Sequence, residues 1–124
     1  MREIKFRAWD SDVEKMLFEE EFPIFYEKDN GFHSGKSADN GDWAALPLMQ
    51  YTGLKDENGV DIYEGDICES EYVVPEEHLT LNLKVEFITG CYCVKDKFGS
   101  TNPLYEDNEF IKVVGNIYEN PDLL

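Results

Sequence analysis

The sequence predicts a mainly β protein: a small Src-homology-3-like open barrel in the C-terminal half, with an N-terminal β-hairpin and an irregular loop segment before it. Two observations carry this expectation. Short runs of alternating apolar and polar residues recur along the chain, separated by Gly, Pro, Asn and Asp clusters. No stretch of ten or more residues carries a helical stripe. A chain of 124 residues with 42% apolar content, two Trp, seven Tyr and eight Phe can fill one core. The expected organisation is a single domain over 1–124, with hairpin and loop in 1–47 and a central hairpin and barrel-like core in 48–124.

The elements follow in order. Ile4, Phe6 and Ala8 alternate with Lys5, Arg7 and Trp9, which reads as a half-buried strand. Asp10-Ser11-Asp12 is a turn cluster, and Val13 to Phe18 returns as the second arm of a hairpin. From Glu19 to Asp42, Pro23, Asn30-Gly31, Gly35 and Asn40-Gly41 punctuate a polar segment. It reads as loop, with room for one short strand at Ile24-Phe25-Tyr26. Trp43 to Pro47 (WAALP) suits a single helical turn that Pro47 ends.

The densest local instruction lies at Leu48 to Ile67, LMQYTGLKDENGVDIYEGDI. Gly53 ends a run of strand-formers, and Asn58-Gly59 is a strong hairpin signal, since a type I′ turn requires positive φ at both central residues. Gly65-Asp66 reads as a second turn that launches a strand at Ile67 and runs to Glu71. Pro75-Glu76-Glu77-His78 is expected as loop. Leu81-Asn82-Leu83-Lys84-Val85-Glu86-Phe87 is the cleanest alternation, with Leu81, Leu83, Val85 and Phe87 facing in. Cys91 to Asp96 runs back, and Lys97 through Pro103 is loop. Phe110 to Val114 is another strand, Gly115 marks a bulge or bend, and Asn120-Pro121-Asp122 ends regular structure.

The opening MREIKFRAWD, the central LMQYTGLKDENGVDIYEGDI and the closing VVGNIYENPDLL, in that order and spacing, resemble the YopX family of small bacteriophage and prophage proteins. The resemblance implies a mostly β fold with a barrel-like core and a phage origin, and it implies no enzyme activity. The residues it shares with the family, Gly53, Asn58, Gly59, Gly65, Asp66, Gly115 and Pro121, are a structural turn signature. The segments 19–47 and 70–109 match only in general character.

Charge narrows the functions. With 27 Asp and Glu against 11 Lys and Arg, net −16, direct nucleic-acid binding and attachment to an anionic membrane are disfavoured. No apolar run is long enough to span a bilayer, Met1 to Lys5 carry no signal-peptide core, and three cysteines fit no disulfide framework. The expected location is the cytoplasm of a bacterial host. Cys91 and Cys93 leave one face of a strand, so with Cys68 and His33 or His78 a zinc site is conceivable. With one close pair only, packing or free thiols are the simpler reading, and no metal or cofactor is expected. Neither histidine lies in a catalytic motif, and no Gly-rich phosphate loop or HExxH occurs.

Two binding functions remain. The first is a non-enzymatic phage accessory protein acting as a protein-interaction module, self-associating or holding another protein, with Trp9, Trp43, Tyr51 and Tyr63 as partner-facing aromatics. The second is an acidic decoy that imitates DNA and inhibits a host nucleic-acid enzyme, its charge drawn from runs such as Glu19-Glu20-Glu21.

Overall fold

The computed structural model describes residues 3–27, 31–37, 43–74 and 77–124. The chain falls into two compact units, 3–50 and 51–124, and the boundary lies inside a strand. It is mainly β, as predicted.

In the first unit, β1 (Phe6–Asp10) and β2 (Lys15–Phe18) form the expected hairpin, with Arg7 opposite Phe18 and Asp10 opposite Lys15. The return strand begins two residues later than predicted, because Glu14 takes a positive φ of 51° to complete the turn. The other side of β1 pairs with the start of β6 (Leu48–Lys55), Phe6 opposite Gln50 and Ala8 opposite Leu48. β1 is not half-buried: all five of its residues, Arg7 and Asp10 included, are out of solvent. Asp10 is held by the Lys36 ammonium at 2.8 and 2.9 Å, and Lys36 also reaches Asp12 at 2.9 Å.

The segment predicted as irregular loop is instead a three-stranded antiparallel sheet after a 3₁₀ turn at Glu19–Glu21. Its strands are β3 (Ile24–Glu27), β4 (Gly31–Ser37) and β5 (Trp43–Leu46). The WAALP segment is therefore strand, not helical turn, and Ala44 and Ala45 pair with Lys36 and Gly35. Four residues cannot repay helix nucleation, whereas a neighbouring strand satisfies their backbone at once. Ser34 is buried and its hydroxyl donates to the Pro23 carbonyl at 2.6 Å, fastening β4 to the residue before β3. Phe6, Ala8, Phe22 and Leu46 form the core, flanked by Leu17, Ile24 and Leu48. The turn signals at Asn30 and Asn40-Gly41, and Pro75 and Glu76 further on, lie outside the described residues.

In the second unit, β6 continues through Gly53 rather than ending there. Gly53 has φ +87°, and the step from Tyr51 to Lys55 faces only the step from Tyr63 to Asp61 on β7 (Asp61–Tyr63). This larger bulge, three residues opposite one, is bridged by Thr52, whose hydroxyl donates to the Ile62 carbonyl at 2.7 Å and accepts from Leu54 N–H at 3.2 Å. Then come β8 (Asp66–Val74), β9 (Glu77–Ile88), β10 (Cys91–Lys95), β11 (Thr101–Pro103), one helical turn α1 (Leu104–Asp107), and β12 (Ile111–Asn116). They build one antiparallel sheet in the order β11-β10-β9-β8-β12, an arrangement compatible with the open barrel expected. Ile62, Cys68, Leu83, Val85, Val94, Leu104 and Ile111 pack as its core. The alternation of β9 holds for Leu83 and Val85, but Phe87 is exposed, its ring edge-to-face with Tyr92 at 5.0 Å.

The turns depart from expectation in an instructive way. Gly59 has φ +79° but Asn58 is not in the left-handed region, so the β6–β7 turn is not type I′. Gly59 N–H instead donates to the Asp56 carbonyl at 3.0 Å, and Asp56 N–H to the Val60 carbonyl at 2.8 Å. This is the three-residue hairpin loop closed by a left-handed glycine. Asp56 selects it, its Oδ1 accepting from Asn58 and Val60 N–H at 2.8 and 2.9 Å. The same turn recurs at Asp96-Lys97-Phe98-Gly99-Ser100, inside the stretch expected as loop, with Gly99 at φ +88° and Asp96 accepting from Phe98 and Ser100. The left-handed pair sought at Asn58-Gly59 occurs at Thr89 and Gly90, φ 49° and 81°, between Ile88 and Cys91.

Candidate functional site

The signature residues all shape the backbone of the second unit. Asp66 is buried and its Oδ2 accepts from Tyr63 N–H at 2.7 Å, reaching back over the turn. Gly65 N–H donates to the Val85 carbonyl, and its own carbonyl accepts from Ile117, so this turn ties β9 to the segment after β12. Between Val113 and Gly115 the register of β12 against β8 slips, and a Cβ on Gly115 would collide with the Asn120 side chain at Oδ1. Asn120 closes that corner by accepting from Asn116 N–H at 3.2 Å, while Asn116 Oδ1 accepts from Tyr118 and Glu119. Pro121 opens the 3₁₀ turn Pro121–Leu123, its fixed φ suited to the first position.

That last turn forms one wall of a cleft of about 460 Å³ beside β9 and β10. Strand alternation places Asn82, Lys84 and Glu86 there, opposite to Leu83 and Val85. Antiparallel register puts Lys84 directly opposite Lys95, and Glu86 opposite Cys93. Asn82 Nδ2 donates to the Leu123 carbonyl at 2.8 Å and so seats the 3₁₀ turn; Leu123 and Leu124 supply apolar lining, while Leu81 packs against the core and reaches the cleft only at the strand edge. Asp96 and Lys97 enter from the β10–β11 turn. Lys84 reaches Glu86 at 2.8 Å, and this hydrogen bond, helped by the charges of Lys84 and Lys95 against the cost of burial, holds the Glu86 carboxyl below its usual range. Neither Lys95 nor Lys97 forms an ion pair among the described residues; Lys97 lies over the Phe98 ring at 5.2 Å.

The other candidate residues separate. Cys68 is in the core, opposite Leu83, and burial pushes its thiol far above the usual cysteine range. Cys91 and Cys93 share the outer face, so the sheet itself stands between them and Cys68. Burial, then the neighbouring Cys91, raises the Cys93 thiol. Among the described residues no three His, Cys, Asp or Glu side chains converge as metal ligands. The side chains of Tyr26, His33, Trp43 and His78 lie outside the described residues. Trp9, Tyr51 and Tyr63 do not face outward: all three are buried, and Tyr51 and Tyr63 form a cross-strand pair with ring centroids 5.5 Å apart. The exposed aromatics are others: Phe98, Phe110, Tyr105 and Phe87 in the second unit, at 78, 72, 64 and 55% exposure, and Phe32, Phe18 and Phe25 in the first, at 56, 49 and 41%. Lys84, Lys95 and Lys97 were also missed. Their only signal was three cations within fourteen positions of a chain that has eleven.

Fold and cleft together define a small, mainly β protein with a polar, partly cationic groove on its larger sheet. The chain belongs to the YopX family, whose model, described as YopX protein, matches residues 5–124. It is similar to protein EF1440 from Enterococcus faecalis, at 26% identity and a TM-score of 0.67, with 100% of this chain and 99% of that chain covered. It is also similar in fold to the yopX protein of Bacillus subtilis, at 19% identity and a TM-score of 0.63, again over 100% and 99% of the two chains. Comparison with curated proteins gives no match. Among the described residues no helix is long and apolar enough to cross a membrane.

Proposed function

We propose that this protein is a non-enzymatic accessory protein of a phage or prophage that works in the host cytoplasm as a protein-interaction module. The observation that carries the reading is the exposed aromatic set of the second unit, Phe87, Phe98, Tyr105 and Phe110. Burying one such ring against a partner is worth about 1.5–3 kcal/mol, and aromatic anchors dominate interface energies. The phage assignment rests on the family resemblance. The partner is another protein or a second copy of the chain.

The test is a tagged pull-down from host lysate across a salt series, with light scattering of the purified protein alongside. A partner, or a self-complex, that persists at high salt and is lost from Phe98→Ala and Phe110→Ala supports the module. A strict monomer that recovers nothing above background sinks it. The net charge of −16 favours one second reading, the acidic decoy for a host nucleic-acid enzyme. Its mark in the same experiment is a nuclease or polymerase bound at low salt and lost steeply as salt rises.

A further inference from the structure

We infer that the cleft beside β9 and β10 receives an extended, acidic peptide segment of the partner, with apolar side chains next to its carboxylates. This rests on the interaction-module reading and gives the partner's chemistry at one site. Three independent features of the cleft converge on it.

The first is charge. Acids outnumber bases 27 to 11 in the chain, yet Lys84, Lys95 and Lys97 line this cleft against Glu86 and Asp96. Lys84 stands directly opposite Lys95, a like-charge pair in which Glu86 offsets one of the two cations. Glu86 is engaged by Lys84, and Asp96 Oδ1 by two backbone N–H groups of its own turn. Three cations face two carboxylates, so the lining keeps a small positive excess, and the exposed Lys95 and Lys97 carry it. Distant acids oppose this only weakly, because at physiological salt charges beyond about 8 Å are largely screened.

The second is backbone. β10 pairs with β9 from Ile88 to Lys84 and leaves it after Lys95, turning away at Asp96. Among the described residues, β9 from Glu77 to Leu83 pairs with β8 on one side alone. Thr80, Leu81 and Asn82 on that open edge line the cleft, in line with the position β10 vacates. An extended segment placed there continues the sheet and gains main-chain hydrogen bonds, as in strand addition to other exposed edges. The third is the apolar lining from Leu123 and Leu124, which a bare inorganic anion does not use.

The experiment is an amide NMR titration of the full chain at 0.15 M salt with three probes. They are a capped Glu-Leu-Asp-Leu-Glu peptide, its Gln-Leu-Asn-Leu-Gln counterpart, and inorganic phosphate. Expected are shifts confined to residues 79–84 and 95–97 with the acidic peptide, and at least tenfold weaker binding by the neutral peptide. The same loss is expected in Lys95→Glu/Lys97→Glu, whose side chains are exposed and whose fold is checked by the unaltered remainder of the spectrum. Equal binding of the neutral peptide, shifts elsewhere, or phosphate matching the peptide would each overturn the inference. The charge-reversed variant is also put through the lysate pull-down. A partner retained by that variant removes the cleft as its seat and leaves the module reading intact, whereas a wild type with no partner removes the module reading itself.

Discussion

Replacing Asp56 by alanine removes the acceptor of three backbone N–H groups: Asn58 and Val60 within its own turn, and Val113 on β12 at 2.8 Å. Asp96 is an internal control, since it starts the same turn and accepts the same two bonds, at 2.8 and 3.0 Å, on an exposed loop. Losing the turn bonds at Asp96 lets water replace them, so Asp96→Ala is expected to cost about 1 kcal/mol. Asp56→Ala loses the same pair and also leaves the part-buried Val113 N–H unsatisfied, which adds about 1–3 kcal/mol. The total of about 3 kcal/mol is a large share of the roughly 5–15 kcal/mol by which domains are stable. Asp56→Asn is nearly as informative. It keeps the shape but turns an NH₂ toward an N–H on one side, so its cost is expected to lie between that of Asp96→Ala and that of Asp56→Ala. Urea melts followed by circular dichroism measure all three, with an unchanged slope showing that the unfolding event is the same. Equal losses for Asp56→Ala and Asp96→Ala would refute the claim that the link to β12 matters.

Three further outcomes follow from the same geometry. Gly115→Ala drives a Cβ into the Asn120 side chain and is expected to destabilise by about 1–3 kcal/mol; Asn120→Ala in the same chain recovers part of that loss in a double-mutant melt. Asp10 is held below the usual aspartate value chiefly by the Lys36 hydrogen bond, and Lys36 is raised by Asp10 and Asp12. The Asp10 contribution is therefore complete above pH 3.8 and disappears as pH falls through the lowered value, so thermal stability should fall less between pH 6 and pH 3 in Asp10→Asn than in wild type. Cys68, buried and with its thiol pushed up, is expected to stay unmodified by a thiol reagent at pH 8 until denaturant is added; prompt labelling in the native protein, read by mass spectrometry, would contradict its place in the core.

What the sequence disclosed and what it hid divide along a physical line. β9 was legible because one face of it is core, and period two records that burial directly. The glycines at 59 and 65 were legible as turns because both take positive φ, which few other residues tolerate; Gly53 takes it too, but inside a strand that continues past it. The turn at 56–60 was assigned to the wrong type because Asp-Glu-Asn-Gly holds two competing instructions. Asn-Gly favours type I′, but the Asp carboxylate accepts two N–H groups that only the other loop presents. β4, GFHSGKS, was hidden for the opposite reason: its own propensity for strand is low, and pairing with β3 and β5 supplies what the residues lack. The cleft was invisible because the alternation assigns Lys84 and Glu86 to the solvent side without saying that Leu123 and Lys97, from distant positions, return to line it.

The bond from Val113 to Asp56 joins residues 57 apart, and its consequence is one of timing. The β6–β7 loop is local and can close within microseconds, but one oxygen of its buried carboxylate has no protein donor until β12 arrives. Glu57 N–H likewise waits for the Ile111 carbonyl. On a ribosome the chain emerges at about 5–20 residues per second, so the first hairpin of this unit is exposed for seconds before the strand that completes it. The unit is therefore expected to close only when its final strand docks, and a stalled chain ending before residue 111, with every core strand but β12, is expected to be cut by a protease faster than the full chain.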